Sequence, residues 1–303
     1  MAFETLTTSE LSVVVGDNEP GTGAYSVHRA GYNGVWSLTS THAPENCFSP
    51  AVAGLNLEHL MDDLFMTDEG GEIFEPRAHP MQLKRTADNA VRLSQEPSPL
   101  TGVSSETVIT VREPFFIDFE FRATLTRPPR SGRSFGFFWA SYMRSPETPA
   151  LQFLDPEGIW CCLSPDGHGD DSGNTVCYAT VEPRWGNPEL AYRSGSLTQS
   201  FSQRHFGLPL MFGRPGKGDM LFVQMFDQRE PVRLCMSPTG GGREEGARVN
   251  NPAWDFQYIV DDAAEGTTCH LRSRVIYKPF VDRDEVERLY AEWDVDHGVD
   301  HDG

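Results

Sequence analysis

The sequence predicts an all-β protein: a large antiparallel β-sandwich, supersandwich-like in size, with one C-terminal helix. Residues 105–112 and 115–125 alternate apolar and polar side chains with period two, the mark of strands buried on one face. Twenty-eight glycines and twenty-two prolines punctuate many short segments with turns. Helical periodicity is clear in one place, near the C-terminus, and no strand-helix alternation suggests a parallel sheet.

In chain order, strands are expected at 11–15, 34–39, 54–60, 80–84 and 90–94. Residues 73–83 read as an extended strip in which Glu75, Arg77 and His79 project from one face. Pro76 and Pro80 each remove a ladder donor and place the strip at an edge or a cleft rim. In 115–125, Ile117, Phe119, Phe121 and Ala123 share one face, and Asp118, Glu120 and Arg122 share the other. Arg112-Glu113-Pro114 is a short connection, so 105–112 and 115–125 form an antiparallel pair. Residues 134–143 are apolar on both sides, as a strand covered on both faces would be. Further strands fall at 150–154, 159–163, 175–181, 220–227, 232–236, 255–260 and 269–277.

Asp282 caps a helix with Glu285 at its third position, and Val286, Leu289, Tyr290 and Trp293 share its apolar face. Residues 1–281 therefore form one sandwich domain, 282–293 a packing helix, and 294–303 an acidic tail expected to be disordered. Gly240-Gly241-Gly242 lacks a following helix and is a flexible connection, not a nucleotide fingerprint.

A net charge of −19 disfavours nucleic acid and anionic lipid as partners. Only Lys84, Lys217 and Lys278 of the 25 basic residues are lysines. No apolar run reaches the roughly 18 to 20 residues that span a bilayer. Met-Ala-Phe-Glu-Thr-Leu lacks the basic and apolar regions of a secretory signal, so the expected compartment is the cytoplasm. The six cysteines are scattered without a C-x-x-C pair and read as reduced, mostly core residues.

Several polar clusters compete as the site. The strip at 73–83 offers a carboxylate, a fixed cation and a group that titrates near neutrality. The loop 26–34 brackets His28, Arg29, Tyr32 and Asn33 between glycines, and suits either hydroxyl recognition or a self-satisfied turn. In 54–60, alternation separates Glu58 from His59, and both enter one site only through a bulge. Glu58 is the site candidate of the two, with His59 read as a core histidine. Residues 164–174 gather oxygen donors around His168 without the spacing of an EF-hand loop. His205 stands near Arg214, and Trp254 beside Asp255 suits sugar recognition, a ring covering a C–H face while a carboxylate binds hydroxyls.

Ser105-Glu106-Thr107-Val108-Ile109-Thr110-Val111, followed by Pro114-Phe115-Phe116-Ile117-Asp118-Phe119-Glu120-Phe121, resembles paired central strands of galactose mutarotase-like supersandwich proteins. Tyr32-Asn33-Gly34, Gly54-Leu55-Asn56-Leu57-Glu58-His59 and Asn251-Pro252-Ala253-Trp254-Asp255-Phe256 also resemble uncharacterised bacterial β-sandwich proteins of similar length. The first resemblance implies a supersandwich and sugar chemistry. The catalytic Asn-His motif of that superfamily is absent, and Arg204-His205-Phe206 matches it only in part.

The leading expectation is acid/base chemistry on a carbohydrate (epimerisation, isomerisation or elimination), with Glu75, His79 and His168 catalytic. His28, Arg29, Tyr32, Asn33, Glu58, Arg77, His205, Trp254 and Asp255 would bind the substrate. This reading requires no cofactor. The alternatives are a non-catalytic carbohydrate-binding module and an isomerase or lyase using a divalent metal at His168 or His79. Sequence leaves the oligomeric state open.

Overall fold

The computed structural model describes residues 2–62, 74–129, 134–146, 148–166, 173–180, 201–216, 219–243 and 250–297, with backbone alone for 294–297. The first strands are β1 (Phe3–Thr7), β2 (Leu11–Gly16), β3 (Gly34–Ser40) and β4 (Asn56–Asp62). A one-turn helix, α1 (Glu75–Ala78), precedes β5 (Gln82–Ala87), β6 (Ala90–Gln95), β7 (Val103–Arg112), β8 (Phe116–Leu125) and β9 (Phe135–Ala140). Then come β10 (Leu151–Leu154), β11 (Trp160–Leu163), β12 (Thr175–Tyr178), β13 (Phe201–Phe206) and β14 (Leu210–Gly213). β15 (Met220–Phe226), β16 (Val232–Gly242), β17 (Asn251–Val260), β18 (Thr268–Pro279) and helix α2 (Arg283–His297) complete the chain.

The strands form a nine-stranded sheet, β11-β10-β14-β15-β18-β8-β7-β6-β5, and a six-stranded sheet, β13-β12-β16-β17-β9-β4. A three-stranded sheet, β1-β2-β3, adjoins β4 through a Val35–Gly54 bridge. Pairing is antiparallel throughout except between β12 and β13. The expected β7–β8 pair runs in unbroken register from Val103 opposite Leu125 to Arg112 opposite Phe116.

Alternation on β8 turns Phe119 and Phe121 into the space between the two large sheets. There Phe121 meets Trp139 edge-on at 4.7 Å, and Trp139 stacks on Phe256 at 4.8 Å. The two-sided apolarity of β9 has two destinations. Phe135, Phe137 and Trp139 enter this core, while Phe138 and Ala140 join Tyr32, Trp36 and Tyr142 in a second cluster beyond the six-stranded sheet. We call that side its outer face.

Helix α2 packs Val286, Leu289, Tyr290 and Trp293 on Leu210, Phe212, Val223 and Ile276 of the nine-stranded sheet. Its first turn is capped as the sequence predicts, the Glu285 amide donating to the Asp282 carboxylate at 2.8 Å. Asp282→Ala is expected to lower unfolding free energy by about 1 kcal/mol, read as a reduced urea midpoint with an unchanged slope. The helix runs on to His297, four residues past the predicted end.

Strands β1, β13 and β14 were not anticipated, because each is short and its pattern is mixed or uniformly apolar. The larger correction is at 73–83. Residues 75–78 are helical, so Glu75, Arg77 and His79 do not line one face of a strand. Pro76 sits in the first turn, where its fixed φ suits a helix and its missing N–H forfeits nothing. The Glu75 carboxylate also accepts bonds from the Leu100 and Thr101 amides and the Thr101 hydroxyl, which pins the turn to a neighbouring loop.

Candidate functional site

On β4 the register slips between Leu57, opposite Trp139, and His59, opposite Phe138. Glu58 is the extra residue of this β-bulge. The condition set by alternation is therefore met: Leu57 and Leu60 stay in the core, while Glu58 and His59 both reach the outer face.

Glu58 is buried and its Oε1 accepts two bonds, from Arg77 Nη1 at 3.0 Å and from the Tyr142 hydroxyl at 2.5 Å. Arg77 comes from α1, whose single turn swings it over β4. Its guanidinium lies 4.0 Å above the Tyr32 ring and 4.8 Å from that of Phe74. Tyr32 meets Tyr142 edge-on at 5.6 Å. Arg77 is the partly exposed member, with 21% of its side chain accessible.

His59 lies between the rings of Phe74, at 4.5 Å, and Phe138, at 4.8 Å. Burial first, and the Arg77 charge second, pull its pKa down to about 3. The imidazole is neutral at ordinary pH, so its 3.7 Å approach to Glu58 is not an ion pair.

Asp255 follows from the alternation of β17, which sends Trp254, Phe256 and Tyr258 into the core and Asp255 and Gln257 the other way. Its carboxylate accepts the Ser141 amide at 3.2 Å. Burial and the neighbouring Glu58 hold its pKa well above the ordinary aspartate range. Burial also raises Glu58, but Tyr142 and Arg77 work against that rise. Tyr142, pushed upward by burial and by Glu58, remains a phenol and donates. Two interacting carboxylates thus occupy unequal environments. Burial and Glu58 bias Asp255 toward its acid form, and Glu58 has two donors that favour its anion.

Of the residues expected from sequence, Glu58, Arg77, Tyr32 and Asp255 come together here, and Arg29 approaches the Tyr32 ring at 5.5 Å. Others are occupied elsewhere. His28 stacks on Trp36 at 3.9 Å and bonds the Tyr32 carbonyl at 2.7 Å, and burial lowers its pKa. Asn33 donates to the Leu57 carbonyl and accepts the Leu57 amide, tying its loop to β4. Glu75 serves the loop at 100–101, away from Glu58. The backbone carbonyl of His79 accepts from Asn18 and Gln95, while its imidazole Nε2 is buried with no hydrogen-bond partner among the described residues. Trp254 is fully buried in the core with its indole N–H on the Pro149 carbonyl, so it presents no face to a sugar. His205 stands opposite Cys177 at the far edge of the six-stranded sheet. His168 lies outside the described residues.

Sequence reasoning missed Tyr142 and set His59 aside. The available signal for Tyr142 was a lone phenol at the end of the apolar run 134–143. Among the described residues, no group of three or more His, Cys, Asp or Glu side chains is arranged to hold a metal ion. No described helix is long and apolar enough to cross a membrane.

No protein-family model matches the sequence, and no curated protein matches it. Solved structures do. The chain is similar to a candidate aldose 1-epimerase from Escherichia coli K12, at 9% identity over 92% of this chain and 99% of that one, with a TM-score of 0.55. It is also similar to an aldose epimerase homologue from C. elegans, at 9% identity over 92% and 99% of the two chains, with a TM-score of 0.52. At this identity the likeness concerns the fold, which is the mutarotase-like sandwich.

Proposed function

We propose that this protein is a carbohydrate-active enzyme that exchanges protons with a sugar through Glu58 and Asp255. The observation that carries the reading is the buried carboxylate pair, one member biased toward its acid form by burial and the other supplied with charge-stabilising donors. Acid and base set apart in this way can act on two oxygens of one hemiacetal. Glu58 takes the proton of the anomeric hydroxyl while Asp255 gives its proton to the ring oxygen, and the ring C–O bond breaks to leave an aldehyde. Reclosure on the other face returns both protons and yields the other anomer. No oxidant, reductant or cofactor enters the balance.

Arg77 favours the anionic form of Glu58, to which it donates at 3.0 Å. A fold shared with proteins described as aldose epimerases supports the same substrate class. Magnetisation-transfer NMR on a panel of neutral and acidic aldoses tests the reading. The expected result is anomer exchange faster than the spontaneous rate for at least one sugar. If no sugar in the panel exchanges faster or changes structure, the assignment fails.

A further inference from the structure

We propose that the same outer face holds a carboxylate subsite built on Arg233 and Gln257, so that the preferred substrate is an acidic sugar, a uronate. The inference rests on the catalytic reading of Glu58 and Asp255 and names the substrate class of that site.

Alternation on β16 sends Val232, Leu234 and Met236 into the core and Arg233 to the outer face, directly opposite Gln257. Arg233 and Gln257 are each 3% exposed. Neither side chain makes a hydrogen bond to a described residue. The Arg233 guanidinium lies 5.3 Å over the Phe201 ring, and its cross-strand neighbour on the other side is Cys177. The acid that pulls on it is Asp261, whose carboxylate takes the Ser134 hydroxyl at 2.9 Å. Burial draws the guanidinium below its ordinary pKa, against the opposing influence of Cys177, Cys235 and Asp261. Among the described residues this buried cation and the amide beside it have no hydrogen-bond partner, an arrangement that an anion would favour.

Asp255 is two residues from Gln257 on the same strand and face, which makes it the diagonal neighbour of Arg233. Such positions lie about 7–8 Å apart, close enough for one pyranose ring to touch both. A carboxylate on the ring would take the planar fork of Arg233 and an N–H of Gln257. Phosphate suits the site less well. One cation balances a carboxylate, whereas a dianion would leave excess negative charge beside Asp261.

Calorimetry with D-galacturonate and D-glucuronate, against galactose, glucose and their 6-phosphates, tests the subsite. The wild-type protein should bind a uronate at least tenfold more tightly than the matching neutral sugar. Arg233→Gln should erase that preference. Gln257→Glu should erase it too, because it supplies Arg233 with an internal carboxylate and leaves no buried cation unpaired if Arg233→Gln fails to fold. The subsite is overturned if the wild type shows no uronate preference, if folded Gln257→Glu keeps it, or if the 6-phosphates bind more tightly. The two readings fail separately. Uronate binding with no turnover of any sugar removes the catalytic assignment and leaves the subsite, while turnover of neutral aldoses without the preference removes the subsite alone.

Discussion

Asp255→Asn is expected to lower kcat/KM for the exchanging sugar by two to four orders of magnitude while making the folded protein more stable at neutral pH. The kinetic loss follows from removing the one proton the site holds ready, since an amide keeps the shape and the Ser141 contact but cannot deliver it. The stability gain follows from linkage. Asp255 has its pKa raised in the fold from an ordinary value of 3.8, by burial and by Glu58. Between the unfolded and folded pKa values the native state binds the extra proton, so stability is full below the lower value and is lost as pH rises through the window. The amide carries no such dependence. Urea melts of Asp255→Asn and wild type should coincide near pH 4 and separate by about 1 kcal/mol at pH 8, the variant being the more stable. Glu58→Gln should share the kinetic loss without the gain, because Arg77 loses its carboxylate. Equal stability of Asp255→Asn and wild type at pH 8 would remove the argument that Asp255 is held protonated.

How far the sequence reaches depends on whether an element is set by its own residues or by its neighbours. The β7–β8 pair and α2 were legible because strict alternation and a capped amphipathic turn state their own geometry. The fate of 73–83 was not, because Glu75 is recruited by Leu100 and Thr101, residues distant in sequence. Local alternation fitted a strand, while tertiary bonds to a buried carboxylate fix a turn. The site divides along the same line. Glu58, Arg77, Tyr32 and Asp255 were each identifiable as site candidates within separate sequence clusters. Their convergence was not identifiable, since it requires the β4 bulge and the order β17-β9-β4 within one sheet. Trp254 and Asp255 illustrate the limit: adjacent in sequence, they face opposite sides of one strand, and only Asp255 reaches the site.

Arg77→Met is expected to destabilise the protein by about 3 kcal/mol at pH 8, the low end for breaking a buried ion pair because Arg77 is partly exposed. Methionine retains an apolar stem to pack on Tyr32, so the loss isolates the charge. Without the guanidinium, the Tyr142 hydroxyl is the one donor left to Glu58 among the described residues, and burial acts on its carboxylate with less opposition. Its folded pKa, already raised from 4.5, should rise further. The penalty must then grow with pH: small near pH 4.5, where Glu58 can be neutral in both states, and largest where the unfolded chain ionises it freely. Adding Glu58→Gln removes the orphaned charge, so the double variant should recover most of the loss at pH 8 and little at pH 4.5. A penalty independent of pH, or one the second substitution leaves unchanged, would mean that Arg77 stabilises through its contacts with Tyr32 and Phe74 instead of through Glu58. The same pair of variants separates the two roles assigned to Arg77. If it sets the ionisation of Glu58, the acidic limb of the activity profile in Arg77→Met must move to higher pH together with the onset of the stability loss.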